Sequence, residues 1–232
     1  MTKVLVFSPH PDDDVIGCGG SIAKHVAKGN KVGVVYMTSG DIGSLAHSPA
    51  EIASIREREA RQAAGCLGVS EVHFFKNHDG YLDCTWKNLV RVTSLLREFR
   101  PHIVYIPHED DRHRDHRKTH ELVVEACGWS GSPRAPVCGQ NLWRVGTILC
   151  YEVGTPVRDC SYVEDITDYI DAKSRALAFH SSQLSNLDYN EAVRSLNRFR
   201  GITTGGGTYC ECFQVVRATN LFSARDSFRR GD

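Results

Sequence analysis

Apolar runs of strand length alternate with helical stretches along this chain, and that alternation restricts its fold more than any other feature. Lys3 to Ser8, centred on VLVF, reads as a buried strand; Ile16 to Lys28 reads as a helix ended by Gly29-Asn30; VGVVYMT at 32 to 38 reads as the next strand. Glu51 to Leu67, rich in Glu, Arg and Ala and followed by Gly68, reads as a helix. VHFF at 72 to 75 and HIVYIP at 102 to 107 are runs of buried-strand type, separated by a helix near 86 to 100. A strand at 147 to 153 and helices near 164 to 180 and 188 to 199 then precede an alternating strand, YCECFQVV, at 209 to 216. Repeated βαβ units predict a Rossmann-like, mostly parallel sheet with helices on both faces, in which sites gather beyond the carboxyl ends of the strands.

The 232 residues suit one domain spanning 1–232. Lys plus Arg equals Asp plus Glu at 28 each, so no net field draws in nucleic acid or an anionic membrane, and a neutral small molecule is the expected partner. VLVF breaks off at Ser8-Pro9, too early for a secretory h-region, and no apolar run approaches the ~18 residues of a membrane span. Nine cysteines are scattered singly with no CxxC pair, the usage of a reducing compartment, so a cytoplasmic location is expected. Cys210 and Cys212 fall on one strand face and read as packing residues rather than metal ligands. Residues 129 to 146, rich in Gly, Pro and Ser, predict a long surface loop, and Ser223 to Asp232 a polar tail.

Two polar clusters sit where strands have just ended. SPHPDDDV at 8 to 15 follows the first strand, and HEDDRHRDHRKTH at 108 to 120 follows the strand at 102 to 107, with four histidines in thirteen residues. A hydrolytic metal site takes three His, Asp or Glu ligands and keeps a position open for water. His10 and Asp13 could supply two ligands from one turn, and His116, or another histidine of the second cluster, the third. Asp12 is then free to act as a base, because a metal lowers the pKa of its water towards ~7 and a neighbouring carboxylate can complete the deprotonation. His113, one helical turn before His116, could act as an imidazolium that stabilises an oxyanion or protonates a leaving amine. Read alone, Asp12 to Asp14 could instead cap the helix that follows. Two matching clusters on one rim favour chemistry over capping.

At these residues the sequence resembles the zinc-dependent N-acetylglucosaminyl deacetylases of the PIG-L/LmbE-like family. PHPDDDVIGCGG at 9 to 20 and HRDH at 113 to 116 look like the family signatures HPDD-x-x-x-G-x-GG and HPDH. TSGD at 38 to 41, the helix from Arg56 to Gly68, DG at 79 to 80, KSRALAFHSSQ at 173 to 183 and YCECF at 209 to 213 are supporting matches. The resemblance implies that His10, Asp13 and His116 bind one Zn2+ per chain, that Asp12 is the general base and that His113 is its acid or electrophilic partner. It further implies that Arg56 and Asp79 contact an amino-sugar substrate, although Arg56 could simply pair with Glu59 or Glu51 on its own helix. The activity implied is hydrolysis of an N-acetyl amide on an N-acetylglucosamine-type conjugate, and the family's habits allow a homo-oligomer. Arg114 departs from the usual proline of the second motif, and Asp14 adds a third carboxylate that is expected to cap the helix.

Other chemistries fit parts of the pattern. A non-haem iron oxygenase also uses two histidines and a carboxylate, but such triads typically sit on all-β jelly rolls. A nucleotide-binding module would lean on Gly17-Cys18-Gly19-Gly20, whose spacing is not GxGxxG and whose preceding aspartates would repel a pyrophosphate. The loop at 129 to 146 is expected to select the substrate, with Trp129 and Trp143 available either to stack on a sugar ring or to pack inside the protein.

Overall fold

The computed structural model describes residues 1–184 and 188–219; the polar tail expected at Ser223 to Asp232 lies outside them. Among the described residues the strands are β1 (Lys3–Ser8), β2 (Lys31–Thr38), β3 (Glu71–Asn77), β4 (Ile103–Pro107), β5 (Thr147–Tyr151), β6 (Tyr162–Asp165) and β7 (Cys210–Ala218). The helices are α1 (Asp13–Ala27), α2 (Pro49–Leu67), α3 (Trp86–Phe99), α4 (Arg114–Ser130), α5 (Ile170–Leu177), α6 (Ser181–Leu184) and α7 (Tyr189–Thr204). One sheet runs β3-β2-β1-β4-β5-β7-β6. Strands β1 to β5 pair in parallel, and β7 returns antiparallel between β5 and β6.

Strand order reverses between β1 and β4, the switch point at which α/β sheets open a crevice. The side-chain period of two sends Val4 and Val6 of β1 into one core with α1, α2 and α5, and Leu5 and Phe7 into the other with α3 and α4. Both faces are therefore covered, as continuous apolar strands require.

The glycines of GCGG are packing residues. A Cβ at Gly17 would run into the ring of Tyr151, which is fully buried and donates its hydroxyl to Phe7 O at 2.7 Å. A Cβ at Gly20 would stand 2.7 Å from Ile166. The motif thus lets α1 press against the sheet, a role that makes no appeal to nucleotide phosphates. Deeper in the same layer Lys173 (0% exposed) and Glu211 (1%) form a buried ion pair at 2.7 Å. Glu211 also accepts from Gly20 N (2.9 Å), Ser21 N (2.8 Å) and Ser21 Oγ (2.6 Å), so its remaining lone pairs are satisfied.

Several expectations need correction. Residues 164 to 165 end strand β6 and are not helical; α5 begins only at Ile170, after a short turn of 3-10 helix at Thr167–Tyr169. The second polar cluster runs into helix α4 from Arg114 onward, and this helix carries Trp129 and ends at Ser130. The loop beyond it runs along the amino ends of the strands, into the start of β5 at Thr147, and so lies at the opposite end of the sheet from the site. Buried Arg97 ties it down through the carbonyls of Trp129, Ser130, Ser132, Ala135 and Gly139. Trp143 donates Nε1–H to Pro101 O at 2.6 Å, and Trp129 packs edge-on against Trp86. Both tryptophans therefore pack against the protein and neither is placed to stack on a sugar.

Gly17→Ala is expected to lower stability by about 1–3 kcal/mol through overpacking against Tyr151. Gly65→Ala, in exposed α2 where a Cβ meets nothing within 4 Å, is expected to be neutral or stabilising by up to ~1 kcal/mol. Urea midpoints of the two variants check the contrast; equal values would mean that α1 does not depend on its glycines.

Candidate active site

Immediately after β1 the chain doubles back, with Asp12 N–H donating to His10 O at 2.9 Å and the Ser8 hydroxyl to the same carbonyl at 2.6 Å. This turn puts His10 and Asp13 side by side. Asp13 Oδ2 accepts from His10 N–H at 2.9 Å and lies 3.0 Å from His10 Nδ1. After β4, the segment from His108 leads into α4, whose first turn carries His116. His116 Nε2 comes within 3.2 Å of Asp13 Oδ2 and 3.3 Å of His10 Nδ1, although 106 residues separate the two histidines. Two imidazole nitrogens and one carboxylate oxygen, all buried, thus converge on one point and could hold a divalent cation. His113 stands beside them, with ligand atoms of His10, His113 and His116 all within 4.8 Å of one another.

Carboxylates surround the trio. His116 Nδ1 lies 3.3 Å from Asp111 Oδ1, and His10 Nε2 lies 3.1 Å from Asp79 Oδ1 and 3.4 Å from Asp115 Oδ2. These are ion-pair contacts rather than aligned hydrogen bonds. Burial pushes the His116 ring towards the neutral form, but the charge of Asp13 and the contacts with Asp111 outweigh it and raise its pKa to about 9. His10 is raised for the same balance of reasons. Asp13 is pushed up by burial, yet the two imidazoles hold it well below the usual carboxylate range.

The supporting carboxylates have their own anchors. Asp111, 1% exposed, accepts from Gly154 N (3.0 Å), Thr155 N (3.1 Å) and His113 N (2.8 Å), joining the ends of β4 and β5. Asp115 accepts from Gly80 N (2.6 Å) and Leu82 N (3.2 Å), while Asp41 accepts from Asp79 N (2.8 Å) and His78 Nδ1 (2.7 Å). The Asp79-Gly80 turn is clamped between them, and Gly80, at φ 76°, takes a conformation that favours glycine.

Asp12 lies next to the trio but faces the cavity, with Arg56 Nη2 3.2 Å from its Oδ1. Arg56 therefore pairs with neither Glu51 nor Glu59; Glu51 forms a capping box with Ser48, and Glu59 binds Ser181 and Ser182. Nor do the aspartates cap α1: Asp12 occupies the N-cap position without a side-chain cap bond. Asp14 is fully buried, accepts from Tyr36 OH at 3.2 Å, and is pushed up to about 7 by burial. Burial, reinforced by the nearby His10 and His116, lowers the pKa of His113; its Nδ1 accepts from Asp115 N at 3.2 Å, which places the proton of the neutral tautomer on Nε2.

All seven residues singled out in the sequence, His10, Asp12, Asp13, Arg56, Asp79, His113 and His116, line one cavity of about 370 Å³. The rest of its lining combines apolar side chains, among them Ile16, Ile42, Val153, Tyr189, Val193 and Leu196, with Arg112, Gly154 and Gln183. Ile16 and Gln183 fall inside the motifs at 9 to 20 and 173 to 183, but no sequence pattern marked Val153, Tyr189, Val193 or Leu196, because α7 and the segment after β5 reach the crevice only through the tertiary fold. Among the described residues, no helix is long and apolar enough to cross a membrane.

The family model for GlcNAc-PI de-N-acetylase, PIG-L, matches residues 5–127. The chain is 32% identical over 194 residues to the diacetylchitobiose deacetylase of Thermococcus kodakarensis, an alignment covering 79% of this chain and 70% of that one. Among solved structures it resembles N,N′-diacetylchitobiose deacetylase from Pyrococcus horikoshii, with a TM-score of 0.86, 30% identity, and 98% and 88% of the two chains covered. It also resembles GalB, the 4-carboxy-2-hydroxymuconate hydratase of Pseudomonas putida KT2440, with a TM-score of 0.82, 25% identity, and 95% and 99% covered.

Carboxylates that orient a metal-binding histidine typically contribute 10–100-fold to affinity. Asp111→Asn is accordingly expected to weaken divalent-cation binding about 10–100-fold, read by competition with a chromogenic chelator. Unchanged affinity would remove Asp111 from the support of His116.

Proposed function

The chain belongs to the GlcNAc-PI de-N-acetylase family, and from that premise we propose that it is a zinc-dependent hydrolase that removes the N-acetyl group from an N-acetylglucosamine-type sugar or glycoconjugate. Residues 1–232 act as one domain in this reading, and nine free thiols suit a cytoplasmic location. The observation that carries it is the separation of His10 Nδ1, Asp13 Oδ2 and His116 Nε2 by 3.0 to 3.3 Å beside the free face of Asp12. A tetrahedral zinc with bonds of ~2.0–2.1 Å sets its ligand atoms roughly 3.3 Å apart, so the donors fit that ion in kind and in spacing. His10, Asp13 and His116 would hold it, and when bound it supplies a Lewis acid for the acetyl carbonyl and for a water molecule.

Asp12 is the general base. Arg56 engages one of its oxygens, which fixes the carboxylate and leaves the other to accept a proton from the attacking water. His113 donates from Nε2–H to the carbonyl oxygen as negative charge gathers there, which a neutral ring fixed through Nδ1 can do without a prior protonation. Asp12 then returns its proton to the departing amine. Arg56 and Asp79 face the same cavity and are the proposed sugar contacts. The likeness to a hydratase supports a second reading, addition of water to an unsaturated carboxylate, for which the same base and donor would serve.

Release of free amine from N-acetylglucosamine, N,N′-diacetylchitobiose and an N-acetylglucosaminyl-inositol separates the two. Asp12→Asn is expected to keep its metal and lose about 100- to 10,000-fold in turnover, while His116→Ala loses the metal itself. Wild-type turnover in Asp12→Asn would refute the base assignment, and full metal occupancy in His116→Ala would refute that ligand.

A further inference from the structure

We propose that Gln183 is a specificity-determining residue whose amide oxygen accepts a hydrogen bond from one hydroxyl of the sugar, and that Glu59 fixes this orientation through Ser182. The inference rests on the deacetylase reading and adds to it a residue that selects among substrates.

Glu59 lies on α2 one turn beyond Arg56 and is 5% exposed. It accepts from Ser181 Oγ (2.9 Å), Ser182 N (2.9 Å) and Ser182 Oγ (2.6 Å), pinning the turn of α6 against α2. A carboxylate only accepts, and a serine hydroxyl has one proton. With that proton directed at Glu59, Ser182 Oγ can only accept from its other neighbour, Gln183 Nε2, at 3.2 Å. The amide end of Gln183 is thereby fixed against flipping: its NH2 faces Ser182 and its Oε1 faces away. Gln183 lines the cavity, and among the described residues no donor reaches Oε1.

Helix α2 thus supports the site with two arms, Arg56 reaching Asp12 and Glu59 reaching Ser182, which in turn meets Gln183. Among the apolar side chains that line this cavity beside its charged cluster, an uncharged acceptor of fixed direction suits a neutral O–H donor. A site built to bind a hydroxyl rejects an analogue lacking it, because the enclosed acceptor is then left without a partner.

The test compares wild type, Gln183→Met and Gln183→Glu on N-acetylglucosamine or N,N′-diacetylchitobiose and on monodeoxy analogues of whichever is turned over, with metal content measured in parallel. Gln183→Met is expected to raise KM about tenfold with kcat within about twofold and metal content unchanged, and Gln183→Glu, which keeps an acceptor, to recover part of the loss. One deoxy analogue should cost wild type a similar factor in kcat/KM and cost Gln183→Met nothing further. Amine release by wild type together with an unchanged KM in Gln183→Met, or equal penalties for every deoxy analogue in both proteins, would overturn the inference and leave the deacetylase reading intact. No amine release by wild type from any sugar would overturn that reading, and the inference with it.

Discussion

The parallel pairing of β1 with β4 is the contact on which the site depends. It aligns Val4, Leu5 and Val6 with Ile103, Val104 and Tyr105, so both strands deliver their following turns to the same rim. Side chains 106 residues apart then meet at 3.3 Å without any loop having to span the molecule. Because strand order reverses here, no crossover helix covers the gap between the two turns, and the crevice stays open to solvent and substrate. Gly17 permits the close approach of α1 to β5 at Tyr151, one helical turn beyond the His10-Asp13 turn, and Gly20 permits its approach to Ile166.

Burying so many ionisable groups is unfavourable unless they are paired, and the structure meets the cost with a graded arrangement. Asp13 is held ionised by two imidazoles, and Asp111 and Asp115 by backbone N–H groups and histidine, whereas full burial, with no cation or histidine to oppose it, pushes Asp14 up to about 7. Adjacent aspartates in one turn thus occupy different electrostatic environments. Asp12 contacts a guanidinium and faces the cavity, Asp13 faces the histidines, and Asp14 turns inward to Tyr36. Such divergence between neighbouring carboxylates is how a site assigns one to a metal and another to proton transfer.

Much of this was legible in the sequence because it is local. Strands such as Lys3–Ser8 and helices such as Pro49–Leu67 announce themselves by periodicity and caps, and the clusters at 10 to 14 and 108 to 120 stand where strand ends must converge. What was not legible depends on partners distant in sequence. Asp14 looked like a cap because its partners, Ser8 and Tyr36, are invisible to helix signals. The loop after α4 looked like a substrate selector because composition marks a loop but not which end of the sheet it closes, and Arg97, which ties it down, sits on α3. Strand β6, only four residues long, lacks a pattern of its own and is defined by β7. The stripe of Tyr189, Val193 and Leu196 reads as an ordinary apolar helix face until the fold brings it to the cavity that His10 lines.

The measurement that bears most directly on this account is a zinc titration of chelator-stripped protein, following free-amine release at each increment. The account predicts no release without metal and a linear return of activity that saturates at one zinc per chain. Full activity in protein shown to hold no metal would contradict it, since His10, Asp13 and His116 would then be a charge network and nothing more.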